Sequence, residues 1–394
     1  MIYLDNAATT AVKPEVLEAM MPYFIENYSN PSSVYSFAQE SHNIVDEARD
    51  TLAALIHAKG NEIYFTGGGS EADNWALKAA AAASRAKGKH IITSKIEHHA
   101  VLHTCEFLEK QGFDVTYLDV DENGLISPEE LERAIRPDTI LISIMFANNE
   151  IGTIEPVKEL AETAHRHGVI FHTDAVQAFG HVPINVEDMN IDMLSASGHK
   201  FHGPKGIGFL YVSNRIKIGS LIHGGAQERG KRAGTLNVPG IVGMSKAASI
   251  AYEAMSENIA KEIRVRDHFI DRISKEIPFA KLNGDRIKRL SNNVNFSLRF
   301  VEGESVLIML DQKGICASSG SACTSGSLDP SHVLLAIGLP HEIAHGSLRI
   351  TISEDTTIED ADYTVDVLKV IIERLRNMSP LYEDFVRQQA ENKL

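Results

Sequence analysis

The fold of this chain is decided by the stretch Glu62-Ile63-Tyr64-Phe65-Thr66-Gly67-Gly68-Gly69-Ser70-Glu71. Residues 62–65 predict a short strand, and the alanine-rich run that continues to residue 87 predicts a helix. A glycine turn between a strand and a helix presents backbone N–H groups to a phosphate. The spacing matches neither the P-loop nor the dinucleotide fingerprint, so it favours a mononucleotide or a phosphorylated cofactor. Taken alone, such glycines more often serve as plain turn residues.

Strands and helices alternate on the C-terminal side of this turn. The pattern predicts strands at residues 90–94, 114–118, 139–146, 169–173 and 207–212, and helices at residues 100–111 and 156–167. Residues 127–130 form a capping box that opens another helix. Single helices are predicted at residues 15–28, 39–58 and 239–276. We therefore expect an α/β fold with a mostly parallel, doubly wound sheet. Strands 293–298 and 348–353 indicate a smaller α+β domain. The predicted division is 14–255 for the large domain, and 1–13 with 256–394 for the small one.

Composition limits the class of protein. The 394 residues are 43% hydrophobic and carry a net charge of −15 that is spread along the chain. This argues against nucleic-acid binding and favours a small-molecule site. We expect a cytoplasmic location without membrane association, because no signal-peptide pattern and no apolar run of membrane-spanning length is present. The three cysteines form no even disulfide framework.

A lysine stands in an unusual place within residues 195–208. Small and hydroxyl residues precede Lys200, and a Gly/Pro turn and an apolar strand follow it. Burial of this amine would disfavour its charged form, and a neutral amine can form an imine with a carbonyl. The ordinary alternative is a lysine in a loop that connects two strands.

Polar residues at the strand ends supply the other parts of a site, because ligands of such sheets bind beyond the carboxyl ends of the strands. Ser70 and its helix can hold a phosphate, and Lys200 can hold an aldehyde. Asp174 can pair with a pyridinium nitrogen, while His98 can stack on the ring. Each residue alone has a structural alternative, such as a turn acid for Asp174. Together they predict a site for pyridoxal 5′-phosphate.

A cysteine lies in a segment of small residues. Residues 318–327 include no large side chain, and such a segment buries little apolar area. We therefore expect Cys323 to be exposed and reactive rather than structural, the alternative being a chance cysteine in a linker. Cys105 and Cys316 are interpreted as core residues.

These residues resemble the cysteine desulfurases of the NifS/IscS type, which are fold-type I pyridoxal-phosphate enzymes of the class-V aminotransferase family. The resemblance covers nearly the whole chain. It rests on the glycine turn, on Glu97-His98, and on the Lys200 stretch. It also rests on these motifs: Tyr3-Leu4-Asp5-Asn6-Ala7-Ala8-Thr9-Thr10, Asn30-Pro31-Ser32-Ser33, Asn148-Asn149-Glu150-Ile151-Gly152, Asp174-Ala175-Val176-Gln177, Arg232-Ala233-Gly234-Thr235 and Ser319-Gly320-Ser321-Ala322-Cys323-Thr324-Ser325.

The resemblance implies a role for each matching residue. Lys200 is the Schiff-base lysine, His98 stacks on the cofactor ring, and Cys323 attacks the sulfur of L-cysteine to leave alanine and a persulfide. The residues implied to contact the phosphate are Gly69, Ser70, Ser197, His199 and, from the partner subunit of a homodimer, Thr235. Those implied to hold the ring are Asn149, Asp174 and Gln177. The implied substrate contacts are Arg349, Asn149 and Asn30.

The resemblance also implies partners. The implied partner is an iron–sulfur scaffold protein or another sulfur acceptor. The resemblance also leaves open a contact of Cys323 with an iron–sulfur cluster during transfer. No resident metal is expected. The chain departs from the family at Ser70, where threonine is common, and at residues 353–355, where Ser-Glu-Asp replaces Gly-Arg-Phe. The alternatives are a selenocysteine lyase, another aminotransferase-like enzyme and a non-enzymatic scaffold. The intact Lys200, His98 and Cys323 argue against the scaffold.

Overall fold

The computed structural model describes residues 1–319 and 330–391. Cys323 lies outside the described residues. The strands of the described part are β1 (Ile2–Tyr3), β2 (Ile63–Thr66), β3 (His90–Ser94), β4 (Asp114–Leu118), β5 (Thr139–Ser143), β6 (Ile170–Asp174), β7 (Met193–Ser197), β8 (Gly208–Val212), β9 (Ala280–Leu282), β10 (Asn293–Leu298), β11 (Ile315–Cys316) and β12 (Ser347–Thr351).

A seven-stranded sheet forms the centre of the larger part of the molecule. Its strand order is β2-β8-β7-β6-β5-β3-β4. The strands from β7 to β4 pair in parallel, whereas β8 pairs antiparallel with both β2 and β7. Strands β3, β5, β7 and β8 are buried along their whole length, as strands covered by helices on both faces must be. The prediction of a mostly parallel α/β sheet is confirmed.

The helices cover this sheet and a second, smaller one. They are α1 (Pro14–Met20), α2 (Pro22–Ile25), α3 (Ser36–Leu55), α4 (Gly69–Ser84), α5 (His99–Lys110), α6 (Pro128–Ala134), α7 (Val157–Arg166), α8 (Gln227–Gly230), α9 (Val238–Glu253), α10 (Met255–Glu276), α11 (Gly303–Asp311), α12 (His332–Ala336), α13 (His341–Ala344), α14 (Ile358–Asn377) and α15 (Pro380–Glu391).

Two of the single helices predicted from the sequence are each divided in two. The helix expected at residues 15–28 is interrupted before Pro22, which lacks the N–H that a helix interior requires. The helix expected at residues 239–276 is interrupted at Ala254. This second break lies beside the predicted domain boundary at residue 255, which stays a prediction.

A separate hydrophobic core surrounds the antiparallel sheet β12-β10-β9. It is built from residues of α10, α11 and α14 together with Leu4, so the N-terminal segment joins the C-terminal part of the chain. Backbone bonds support this arrangement, because the Thr351 N–H donates to the Leu4 carbonyl (2.8 Å). The N-terminal segment therefore lies between the two parts of the molecule, directly above the ends of the central strands.

The described part of the chain shows neither a membrane-spanning helix nor a metal-binding cluster. Within residues 1–319 and 330–391, no helix has the length and apolar character that a membrane span requires. The same described ranges hold no cluster of three or more His, Cys, Asp or Glu side chains suited to binding a metal ion.

Candidate active site

The carboxyl ends of β6 and β7 bring an acid and an amine close together. Asp174 is the last residue of β6 and is 6% exposed, and its Oδ1 accepts a hydrogen bond from the Val176 N–H (2.9 Å). Lys200 follows β7 after one short turn. Burial raises the pKa of Asp174 to about 6, while the charge of Lys200 acts in the opposite direction. The acid therefore stays ionised at neutral pH, with a cation nearby.

The N-terminal segment closes over Lys200. The Lys200 Nζ donates to the carbonyl oxygens of Ala7 (2.6 Å) and Ala8 (2.9 Å), and the Gln177 amide donates to the same Ala7 oxygen (3.0 Å). His199 is joined by its Nδ1 to the Thr9 hydroxyl (3.1 Å), and its pKa is lowered to about 4 by burial and by nearby lysine charges. Three residues of the N-terminal motif, Ala7, Ala8 and Thr9, thus line the site.

The glycine turn before α4 forms a cradle for an anion. The first helical bond of this helix runs from the Ala72 N–H to the Gly68 carbonyl, so the N–H groups of residues 69–71 precede the hydrogen-bond ladder. Gly68 has a φ of +149°, which favours glycine. A Cβ on Gly69 would lie 2.6 Å from Val176 Cγ2, so this approach requires glycine. Ser197 borders the cradle, because its Oγ would lie 3.8 Å from a Cβ on Gly68.

His98 is a neutral imidazole above the strand ends. It caps α5, and its Nδ1 accepts the Ala100 N–H (3.1 Å). A neutral ring that accepts at Nδ1 carries its proton on Nε2. Burial, followed by the charge of Lys200, lowers the pKa of His98 to about 4. This histidine therefore offers an uncharged ring face to a ligand at neutral pH.

Arg349 brings the C-terminal part of the chain to the site. It lies on β12, is 2% exposed, and donates to Asp5 Oδ1 (2.8 Å) and to the Asn149 carbonyl (3.0 Å). Its Nε–H is buried and makes no hydrogen bond to the residues that the structure describes. A buried guanidinium with an unused N–H can bind a further acceptor, such as a carboxylate.

The described residues on either side of segment 320–329 are attached at the site. The N–H of Arg349 donates to the Ser318 carbonyl (2.6 Å), and the Ser347 hydroxyl donates to the Ser319 carbonyl (2.8 Å). At the other end, Ser331 donates to Glu150 Oε2 (2.5 Å) and His332 binds the Glu97 carbonyl through Nε2 (2.9 Å). The residues that flank the segment carrying Cys323 therefore lie beside Arg349 and His98.

Two predicted residues lie apart from this constellation. Asn30 is exposed, and its side chain accepts the N–H of Ser32 (3.0 Å). Thr235 is exposed on the loop after Arg232, which is held by two hydrogen bonds to Glu71. Ser70 is also exposed at the start of α4. The position of Thr235 agrees with a contact made to another subunit rather than to its own site, but its role stays a prediction.

Sequence reasoning gave no role to Asp5, to the Ala7 carbonyl or to Asp73. The N-terminal motif that contains the first two was part of the resemblance, so a signal for them existed. Nothing in the pattern of α4 distinguished Asp73, which is 1% exposed and whose Oδ1 makes no hydrogen bond to the described residues.

The donor set fits pyridoxal 5′-phosphate. The site brings together a helix N-terminus for the phosphate, a buried carboxylate for the pyridine nitrogen, a neutral ring for stacking and an amine for the aldehyde. The fold and the site together define a pyridoxal-phosphate-dependent enzyme of fold-type I.

The comparisons with known proteins give the family. The model of the "Aminotransferase class-V" family matches residues 2–364, and the chain belongs to that family. "Cysteine desulfurase IscS" of Clostridium botulinum (strain Hall) is 57% identical over 392 residues, which cover 99% of each chain. The protein of the same name from Methanosarcina thermophila is 58% identical over 380 residues, covering 96% of this chain and 94% of that one.

Solved structures agree with this result. A "NIFS-LIKE PROTEIN" superimposes with a TM-score of 0.89 at 37% identity, covering 94% of this chain and 99% of that one. "SspA in complex with cysteine" superimposes with a TM-score of 0.80 at 41% identity, covering 91% of this chain and 100% of that one. The fold and the cofactor class predicted from the sequence are confirmed.

Proposed function

We propose that the chain is a cysteine desulfurase, which converts L-cysteine to L-alanine and transfers the sulfur to Cys323 as a persulfide. The observation that carries the proposal is that the residues flanking segment 320–329 are hydrogen-bonded beside Arg349 and His98. Cys323 belongs to the sequence between these flanking residues. Relatives named cysteine desulfurase, with 54–58% identity over nearly the full chain, support the same activity.

Each residue of the site has a separate role in the reaction. Pyridoxal 5′-phosphate, when bound, supplies an electron sink for the substrate's α-carbon. Asp174 holds a negative charge at the ring nitrogen, and the N-terminus of α4 with Ser197 and His199 binds the phosphate. Lys200 supplies the amine that holds the cofactor and a group that moves protons. His98 stacks on the ring as a neutral imidazole.

Arg349 orients the substrate. The unused Nε–H of Arg349, together with its Nη2, forms the fork that receives the substrate carboxylate. The Cys323 thiolate then attacks the substrate sulfur. The carbon–sulfur bond breaks, its electron pair is protonated at carbon, and the sulfur remains on the enzyme, so that L-cysteine and enzyme–SH become L-alanine and enzyme–S–SH.

The test is one turnover with L-cysteine, followed by an alanine assay and peptide mass spectrometry. We expect alanine in a one-to-one ratio with a sulfur adduct on Cys323, and neither product from Cys323→Ala. The matched control is Cys105→Ala, because Cys105 is fully buried and burial raises the pKa of its thiol far above the ordinary value. An adduct on Cys105 or Cys316 with Cys323 unmodified would refute the proposal.

A homodimer with shared sites is part of the proposal. Apolar side chains are exposed around the N-terminus of α3, among them Val34 (96%), Tyr28 (70%) and Tyr35 (53%). Val34 lines an open cleft of about 760 Å³ that is also lined by residues of α8, which precedes the Thr235 loop. A second copy docked here would cover the apolar surface and receive the Thr235 loop. We expect Val34→Asp to give monomers in analytical ultracentrifugation, whereas the control Val370→Asp on α14, where the side chain is also exposed, stays dimeric.

The persulfide is passed to an acceptor protein in the cytoplasm, for iron–sulfur cluster assembly or another thiolation. The names of the relatives support iron–sulfur assembly. Incubation of the persulfide form with an apo iron–sulfur scaffold, iron and a thiol reductant tests this step. Cluster absorbance that depends on L-cysteine is the expected result, and cluster formation at the same rate with Cys323→Ala would contradict it.

A further inference from the structure

Asp5 is the counter-ion of the arginine to which the substrate carboxylate is assigned. Its Oδ1 accepts a hydrogen bond from Arg349 Nη2 (2.8 Å), which is the ion pair that Arg349 makes with the described residues. The Arg349 side chain is 3% exposed and the Asp5 side chain is 20% exposed. A guanidinium that is buried to this extent needs an anionic partner, because an unpaired buried charge is strongly destabilising. Asp5 therefore satisfies the charge of Arg349 when the site holds no substrate.

Asp5 uses only part of the Arg349 guanidinium. The Arg349 Nη1 donates to the Asn149 carbonyl (3.0 Å), and the Nε–H makes no hydrogen bond to the described residues. A guanidinium has five N–H donors in a planar fork. The Nε–H and one N–H of Nη2 form the edge that suits a carboxylate, so a substrate carboxylate bound there shares Nη2 with Asp5. Two carboxylates are then neighbours on one guanidinium.

The backbone on both sides of Asp5 is fixed to β12, the strand that carries Arg349. The Thr351 N–H donates to the Leu4 carbonyl (2.8 Å), and the Asn6 N–H donates to the Thr351 carbonyl (3.2 Å). The side-chain amide of Asn6 donates to the same Thr351 carbonyl (2.9 Å). These bonds hold the segment against β12 two residues beyond Arg349. The backbone of Asp5 therefore stays beside Arg349 when a substrate binds, and its carboxylate remains close to the carboxylate of the substrate.

We propose that Asp5 is a positioning residue that holds Arg349 in place and, by charge repulsion, weakens the binding of the carboxylate of the substrate and product. This role rests on the proposed function in that an α-amino acid places its carboxylate on Arg349. L-Alanine carries the same carboxylate as L-cysteine, so repulsion by Asp5 also favours release of the product. A charge a few ångströms away changes an ionisation equilibrium by about 10- to 1,000-fold. Because Asp5 is partly exposed, we expect an effect near the lower limit, about tenfold.

Titration of the holoenzyme with L-alanine, followed through the absorbance of the bound cofactor, tests the charge of Asp5. L-Alanine has the carboxylate and the amine of the substrate but no sulfur, so this readout involves no sulfur transfer. Asp5→Asn keeps an oxygen that accepts from Arg349 but has no charge, and its dissociation constant for L-alanine should fall about tenfold. A general loss of structure would raise this constant. An unchanged or raised dissociation constant would overturn the proposal.

Two control variants separate the charge of Asp5 from other effects. Asp5→Glu keeps the charge and should bind L-alanine no more tightly than wild type. Asp362→Asn removes an exposed acid that is ion-paired with Arg272, so it changes the net charge by the same amount, and it should leave L-alanine binding unchanged. Tightening in either control equal to that in Asp5→Asn would overturn the proposal. If Asp5→Asn does not fold, Asp5→Ser, which also lacks the charge, replaces it with the same expected result.

The same titration of Arg349→Lys distinguishes this proposal from the proposed function. Weaker L-alanine binding in Arg349→Lys, together with no tightening in Asp5→Asn, would refute the role of Asp5 alone. Unchanged binding in Arg349→Lys would refute the substrate contact and, with it, the role of Asp5. Absence of a persulfide on Cys323 would refute the desulfurase reaction but would not alter the L-alanine result.

Discussion

Replacement of Arg349 by lysine tests the substrate side of the site. The Arg349 guanidinium binds Asp5 and the Asn149 carbonyl at the same time, and its Nε–H is available for a substrate carboxylate. A lysine ammonium is a single point and does not reproduce this fork. Loss of one charge-assisted hydrogen bond costs about 1.5–3 kcal/mol, which is about a 10- to 150-fold increase in the dissociation constant.

The assay is a titration of the holoenzyme with L-cysteine, followed through the spectral change of the bound cofactor. We expect the spectrum before titration to be that of wild type, because Arg349 lies on the substrate side of the pocket. Arg376→Lys is the matched control, since Arg376 is 5% exposed but packs against α15, outside the site. An unchanged dissociation constant for Arg349→Lys would refute the assignment. Equal weakening in both variants would indicate a general loss of structure instead.

Two further predictions concern Lys200 and Glu97. Borohydride reduction should fix the cofactor covalently in wild type and in the surface variant Lys205→Ala, but not in Lys200→Ala; covalent fixation in Lys200→Ala would mean that another lysine holds the cofactor. Burial raises the pKa of Glu97 to about 8 from its ordinary 4.5, so the stability that its proton contributes is present below about pH 4.5 and is lost as the pH rises through about 8. Glu97→Gln keeps an oxygen that accepts hydrogen bonds from the Ser94 hydroxyl and from the Met145 N–H. The apparent Tm of this variant relative to wild type should therefore be higher at pH 9 than at pH 5. An equal Tm difference at both pH values would contradict the raised pKa of Glu97.

The arrangement of the strand ends could be read from the sequence. The alternation of strands and helices predicts a parallel sheet, and a parallel sheet brings the carboxyl ends of its strands to one edge. The sheet therefore brings Asp174, Lys200 and the glycine turn to the same edge, independently of how the side chains pack. Residue chemistry then restricted the ligand, because an amine, an acid and a phosphate cradle suit few cofactors. Breaks within long helices were less evident, as Pro22 and Ala254 show.

Only the tertiary structure decided which distant groups share a hydrogen bond. Arg349 and Asp5 are 344 residues apart, and Lys200 reaches a carbonyl oxygen 193 residues away. A backbone carbonyl is present at every residue and therefore leaves no signal in the sequence. The raised pKa of Asp73 is likewise invisible in the sequence, because it depends on burial and on the charge of Asp174. Sequence sets which groups the chain carries, but their charge state is set by the solvent that folding removes and by the neighbours that it supplies.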